Sequence, residues 1–386
     1  MAQKIKNYLE SQGFYNYLSN EHLDKLQKQI KQALSPKSKT NLSLPLGKKS
    51  KKDNFLLLEL GGTFLHISVI SKNKVVKDKI LPFYQKKKVY TAKNLAALLA
   101  KYANKYVNPT TSTLIIAFAN SLQTKLIHGE LISKILFFGK NHAHRELVGH
   151  SLTSLIKKQL NKKLQVHLIN DGLIGTIGKF SKKPLLSLIV GTGVNLCMAM
   201  TKGQSLFLAN LEMGDFNYLK PSNFDRMLDK KSSTPGRFLT EKLLAGAWHY
   251  QLFQIILNNL TSTKQLDARK FLKKIRRWSS GDIEKYFTTT HPQGPEKIYY
   301  WIWREMNKRG AYIHAQIITQ VIKTISPRQQ VEIQETGSLI KHDHYYRRNL
   351  HIYLKDFSLK YNINKPRTRL SASDSVKGAK KLLTIV

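Results

Sequence analysis

The sequence predicts an α/β fold, and three observations carry that expectation. From about residue 55 onward, short apolar runs of strand length alternate with longer segments of helical period. Glycine turns follow directly on two of those runs, at Gly61-Gly62 and at Gly191-Thr192-Gly193. A third run, Val166 to Ile169, is followed by a carboxylate, Asp171. An acid at the end of a buried strand stands at the mouth of a sheet.

Length and composition bound the rest. The chain has 386 residues, 41% of them hydrophobic, enough for two to three domains' worth of core. The longest apolar candidate, Leu185 to Met200, is broken by Gly, Thr and Asn and is too polar to cross a bilayer. The start, Met1-Ala2-Gln3-Lys4, has no apolar signal-peptide core. The single cysteine, Cys197, excludes an internal disulfide framework, and a cytoplasmic protein is expected.

Charge is the unusual quantity: 64 Lys+Arg against 24 Asp+Glu give +40. One reading is a footprint for nucleic acid; the other is a lysine-rich solvated surface. Basic pairs recur from Lys51-Lys52 to Lys380-Lys381 with no single basic tail. That spread favours the solvated surface, with at most non-specific polyanion binding at low salt.

The elements follow in order. Residues 4–34 read as amphipathic helices, and Ser35 to Asp53 as a polar linker. Phe55–Leu60, Leu65–Ile70 and Lys74–Ile80 read as strands. A helix at Ala92–Tyr106 leads to strand Thr113–Phe118, and a helix around His144–Leu160 leads to strand Val166–Ile169. Leu185–Val190 is a buried strand. Residues 236–260 and 298–325 read as long helices, Val331–Gln334 as a strand, and the tail from Lys377 as a helix.

The motifs combine into one chemistry. Gly61-Gly62-Thr63 lets the backbone turn and come close to a ligand, and its N–H groups and hydroxyl suit phosphate oxygens; an ordinary hairpin is the bland alternative. Glu59 just before it could hold magnesium through water. Asp171 could take a proton from an attacking hydroxyl, or serve as a helix cap. Asn170 beside it could meet a substrate hydroxyl. Gly191-Thr192-Gly193 offers a second phosphate turn. Glu212 and Glu241 could accept hydrogen bonds from a polyol or merely pair with surface cations.

The order of these segments resembles the hexokinase family, of the eukaryotic type. The first phosphate motif matches Leu58 to Thr63, the Asn-Asp pair matches Asn170-Asp171, and the Gly-Thr-Gly-Thr-Asn loop matches Gly191 to Asn195. Asn210 to Phe216 resembles the family's Asn-Thr-Glu-Trp-Gly-x-Phe stretch. Phe224-Asp225, Asp229, Pro235-Gly236 and Glu241-Lys242 through Gly246 resemble its most specific run. Thr336-Gly337-Ser338 with Lys341 resembles the adenosine segment, and Ser371 to Ala379 the last motif.

The resemblance implies a two-lobed, actin-like ATPase fold, related to ribonuclease H, with a cleft between a small and a large lobe. Residues 1–53 would be N-terminal helices and linker. Residues 54–184, completed by 371–386, would form the small lobe, and 185–370 the large one. It implies ATP and Mg2+ and 6-phosphorylation of a hexose, glucose foremost. Asp171 would be the base, with Lys140 the candidate for the sugar-loop lysine. Asn170, Asn195, Glu212 and Glu241 would bind sugar hydroxyls. Gly61, Gly62, Thr63, Gly191, Thr192, Gly193, Gly337, Ser338 and Ser375 would hold the nucleotide, and Glu59 the magnesium through water. The departures are Phe64-Leu65-His66 after the first glycine turn, Val376 in the last motif, and Ala117-Phe118-Ala119 in the sugar loop. They leave two alternatives: a sugar sensor with little or no turnover, and a nucleic-acid-binding protein on the same fold.

Overall fold

The computed structural model describes residues 1–46, 54–61, 64–83, 91–137, 148–371 and 374–386. In chain order its elements begin with α1 (Ala2–Ser11), α2 (Leu23–Leu34), β1 (Asn41–Pro45), β2 (Phe55–Leu60), β3 (Phe64–Ser71), β4 (Lys74–Pro82) and α3 (Ala92–Tyr106). Then come β5 (Thr113–Phe118), β6 (Ser121–Ile127), β7 (Glu130–Phe137), α4 (Leu152–Lys157), β8 (Gln165–Asn170) and α5 (Asp171–Lys179). They are followed by β9 (Leu185–Val190), β10 (Val194–Lys202), β11 (Ser205–Asn210), α6 (Asn223–Lys231), α7 (Leu239–Leu244) and α8 (Gly246–Ser262). The rest comprises α9 (Arg269–Ile275), α10 (Ser280–Thr289), α11 (Glu296–Ile325), β12 (Glu332–Thr336), α12 (Ser338–His342), α13 (His344–Lys360), β13 (Arg367–Leu370) and α14 (Ser375–Leu383).

The strands form a six-stranded sheet in the order β1-β11-β10-β9-β12-β13, a five-stranded sheet in the order β4-β3-β2-β5-β8, and the β6-β7 hairpin. By internal contacts the chain divides into two compact units. The first comprises Met1–Gln32, Leu188–Asn195 and Glu212–Ala372; the second comprises Ala33–Ser187, Leu196–Leu211 and Ser373–Val386.

In the second unit, β2, β5 and β8 run parallel in one register, Leu60 beside Phe118 and Phe118 beside Asn170. Both of their faces are covered. Leu56, Leu58 and Leu60 pack with α3, while Phe55, Leu57 and Ile115 pack with α5 and α14. Double coverage is why these strands read as unbroken apolar runs. Helix α14 crosses α5 at glycines. A Cβ on Gly378 would meet the Ile174 carbonyl oxygen at 1.9 Å, and one on Gly178 would meet the Asp374 oxygen at 2.8 Å.

The first unit is mostly helical. The 30-residue α11 is buried on nearly all sides, and Trp303 on it packs among Phe253, Phe271 and Phe287 with Ile5 and Leu9 of α1. A buried bidentate pair, Arg309 to Asp225 at 3.0 and 2.6 Å, ties α11 to α6.

Three expectations about elements change. The stretch expected as a linker contains strand β1, in which Leu42 and Leu44 alternate inward against β11. The helix expected over 236–260 breaks at Ala245, whose ψ of 142° is extended. The break lets the Gly246 N–H donate to the Gly191 carbonyl at 2.8 Å. The helix expected around His144–Leu160 is short, α4 alone, with residues 144–147 outside those described. Among the described residues, no helix is long and apolar enough to cross a membrane.

Candidate active site

In the second unit, the register of β2, β5 and β8 lines up the turns that leave their carboxyl ends. Three of the expected residues stand along that edge, Gly61 after β2 and Asn170 with Asp171 at the end of β8, with β5 between them. Asp171 is the first residue of α5, and its Oδ1 accepts the Gly172 N–H at 2.8 Å. The free N–H groups of a helix's first turn attract a negative group. Asn170 precedes it as the helix cap. Its Oδ1 accepts from the Gly172 and Leu173 N–H groups at 2.9 and 3.2 Å, and its Nδ2 donates to the Asn120 carbonyl at 3.0 Å. The cap fixes where Asp171 stands, and the bond to Asn120 uses one of the two Nδ2 hydrogens.

The hairpin between β2 and β3 closes through the Gly61 N–H, which donates to the Phe64 carbonyl at 3.0 Å. At Gly61 itself the turn does not demand glycine, since a Cβ would meet only the Phe64 oxygen, at 3.6 Å. Gly62 and Thr63 lie outside the described residues, as does Lys140. Glu59 stands opposite His66 across the hairpin. His66 Nδ1 lies 3.8 Å from Glu59 Oε2, and Nε2 lies 2.7 Å from Asp78 Oδ1. Glu59 foremost, with Asp78, pushes His66 up to about 9. Ser375, expected at the nucleotide, is buried as the first residue of α14.

In the first unit, β9 runs into the loop Gly191-Thr192-Gly193, which is closed by the Gly191 N–H donating to the Gly193 carbonyl at 2.9 Å. Gly337 lies against this loop. Its φ is +104°, and a Cβ there would meet the Val190 carbonyl oxygen at 2.3 Å. Glycine is required at that point both by conformation and by space. The two expected nucleotide segments, Gly191–Gly193 and Gly337-Ser338, are therefore brought together. They open on a cavity of about 680 Å3 whose lining includes Thr192, Ser338, Ser280, Glu284, Lys285 and Asp343. That volume suits a nucleoside-sized ligand.

The acids beneath this cavity are spoken for. Arg304 holds Glu284 through two bonds of 2.9 Å and reaches Asp343 Oδ1 at 3.3 Å. Burial, with Glu284 beside it, pushes the Asp343 carboxyl up to about 7. Sequence reading did not find this floor. The signal for α10 was present as a capping box, Ser279 with Asp282 three residues on.

Asn195, Glu212 and Glu241 also gather in the first unit. Cys197 pairs with Asn210 at the end of the β10-β11 ladder, and Asn195 and Glu212 each stand two residues beyond that last rung. Glu212 has left-handed backbone, φ 47° and ψ 44°. The Glu241 carboxylate lies over two glycines: a Cβ on Gly214 would meet its Oε2 at 2.9 Å, and one on Gly193 its Oε1 at 3.8 Å. Lys242, the next residue, is buried and donates to Asp229 at 2.5 Å and to the Thr234 and Arg237 carbonyls at 2.6 and 2.8 Å. It anchors α7 to the loop after α6, which explains the spacing of the run from Phe224 to Lys242.

The architecture is shared with sugar kinases. A hexokinase from Schistosoma mansoni, solved with glucose, superposes with a TM-score of 0.73 at 19% identity over 99% of both chains. A ROK-family glucokinase from Streptomyces griseus, solved with glucose and AMPPNP, superposes at 0.54 with 10% identity, covering 86% of this chain and 97% of that one. The fold is the two-lobed, actin-like α/β fold of the sugar kinases. The model of the family described as Hexokinase matches residues 185–383. The chain belongs to the hexokinase family.

Its sequence relatives are distant. Hexokinase-2 of Rattus norvegicus is 25% identical over 293 residues, covering 65% of this chain and 30% of that protein. Hexokinase-2 of Oryza sativa is 29% identical over 171 residues, covering 40% and 34%. The chain spans about a third of the length of the first curated relatives it matches.

Proposed function

We propose that the chain transfers the terminal phosphoryl group of ATP to the 6-hydroxyl of a hexose, glucose foremost. One observation carries this reading most of the way: Asp171 stands on the carboxyl edge of β8, in register with the phosphate-type hairpin after β2. Phosphoryl transfer needs a positioned base and a nearby cradle for the transferred group, and little else from the protein. Asp171 accepts the proton of the attacking hydroxyl. Asn195, Glu212 and Glu241 take sugar hydroxyls, and Asn170 offers its remaining hydrogen. The cavity beside Gly191–Gly193 and Gly337-Ser338 takes the nucleotide.

Magnesium fits the donor chemistry. A single carboxylate, Glu59, stands at the hairpin, and magnesium keeps several waters and draws other ligands from phosphates. It would neutralise phosphate charge there.

The test is a coupled assay for sugar 6-phosphate over a panel of hexoses, with Asp171→Ala beside the parent. Loss of the base lowers kcat by roughly a thousandfold or more, with sugar binding by calorimetry largely kept. Unchanged turnover in the variant removes Asp171 from the mechanism.

The pairing of Glu59 with His66 favours a second reading, a sugar sensor with weak turnover, because a carboxylate shared with an imidazole holds metal less well. Glucose binding with no phosphate transfer at saturating ATP and magnesium selects it.

A further inference from the structure

Helix α13 of the first unit carries a feature that sugar phosphorylation does not use. A shallow depression of about 390 Å3 is lined by His344, Arg347, Arg348, His351, Ile352 and Lys355. Five of the six are basic, and none is acidic. They recur at helical spacing, so they share one face over about 16 Å of helix. The acid of α13, Asp356, lies outside the lining.

Two of these side chains are built into place. Glu335 of β12 is fully buried, and it receives Arg347 Nε at 2.6 Å and His351 Nε2 at 2.5 Å. Glu335 takes only the Nε of Arg347, and neither terminal nitrogen bonds to it. Arg348, His344 and Lys355 are exposed, and none has an ion pair among the described residues. One carboxylate therefore sits under a group of five basic residues, and a solvated lysine face needs no such buried anchor.

We propose that this depression binds adjacent phosphoryl groups, as carried by a free polyphosphate or by a multiply phosphorylated lipid headgroup. Arginine forks match phosphate oxygens bidentately, and charge-assisted bonds to them are the strong kind. The choice of ligand rests on the lining, which offers two arginines, two histidines and a lysine and no acid to an anion. The inference is independent of the hexose reading, because it rests on α13 and β12 alone.

Calorimetry with sodium tripolyphosphate tests it, comparing the parent, an Arg348→Ala/Lys355→Ala variant and a Lys182→Ala/Lys183→Ala control on another exposed surface. Arg347 and His351 stay, so Glu335 keeps its partners. All three chains share the glycine loops, so any binding there cancels in the comparison. The α13 variant binds at least tenfold more weakly than parent and control. Equal binding in variant and control overturns the site. Vesicles with and without a bisphosphorylated inositol lipid separate the sources: headgroup-dependent binding lost in the α13 variant assigns the lipid. Tripolyphosphate binding without vesicle binding assigns the free anion. Single-stranded RNA bound more tightly than tripolyphosphate, with equal loss in both variants, overturns the proposal in favour of a uniformly basic surface.

Discussion

Glu212 occupies backbone space that costs a residue with a Cβ about 1–2 kcal/mol, and it does so beside the proposed sugar acids. Glycine would relieve that cost and remove the carboxylate. Glutamine would keep the cost and weaken the acceptor. Glu212→Gly should therefore raise the thermal midpoint while raising the hexose KM tenfold or more; Glu212→Gln should raise KM without the gain in stability. Thermal unfolding and the coupled assay read the two effects separately. A fall in stability for the glycine variant would show that the carboxylate, not the backbone, dominates the local energetics. His66 makes a related point. It belongs to the departure Phe64-Leu65-His66 after the first glycine turn, and it shares Glu59 and Asp78 across two strands.

Among elements, the α5–α14 crossing bears most directly on the site, because α5 begins with Asp171. A Cβ on Gly378 would press on main chain rather than on a movable side-chain tip. Gly378→Ala should cost roughly 3 kcal/mol, on the scale of overpacking a tight core. A urea midpoint unchanged from the parent would show that the two helices can part freely. Elements were legible where burial left its mark on composition. β2, β5 and β8 are apolar throughout because both faces are covered, and Asp171 was visible because it ends such a run. β6 and β7 were missed: each carries charges among its apolar residues, as at Lys125, Glu130 and Lys134, and half-exposed hairpins look like loops. β1 hides in a polar, proline-containing stretch, and only its pairing with β11 reveals it. The partnership of Gly378 with Ile174 could not be read locally, because it joins positions some two hundred residues apart.

For the whole molecule, buried neutral histidines set a dependence on pH. Burial pushes His249 down to about 4. Its Nε2 meets Asn307 Oδ1 at 2.9 Å, so that nitrogen carries the hydrogen, and Nδ1 has no partner. A second proton would land on that buried, unpartnered nitrogen. His314 is likewise pushed down, to about 3, by burial. The unfolded chain binds these protons near 6.5, before the folded one does. The stability they contribute is thus complete above about 6.5 and is lost as pH falls toward 4. The urea midpoint should drop between pH 7 and 4.5, and His249→Gln should flatten that slope. A parallel slope in the variant would assign the loss to other groups.

The second unit is assembled from stretches far apart along the chain, the last of them Ser373–Val386. During synthesis, the α5 face bearing Ile174 and Ile177 leaves the ribosome roughly two hundred residues before its cover, α14, has been made. At a translation rate of about 5–20 residues per second, that apolar face waits ten seconds or more. A nascent chain of this topology needs something else to shield it in the meantime, whether transient self-contact or a chaperone, before the residue that opens α5 is fixed in its working position.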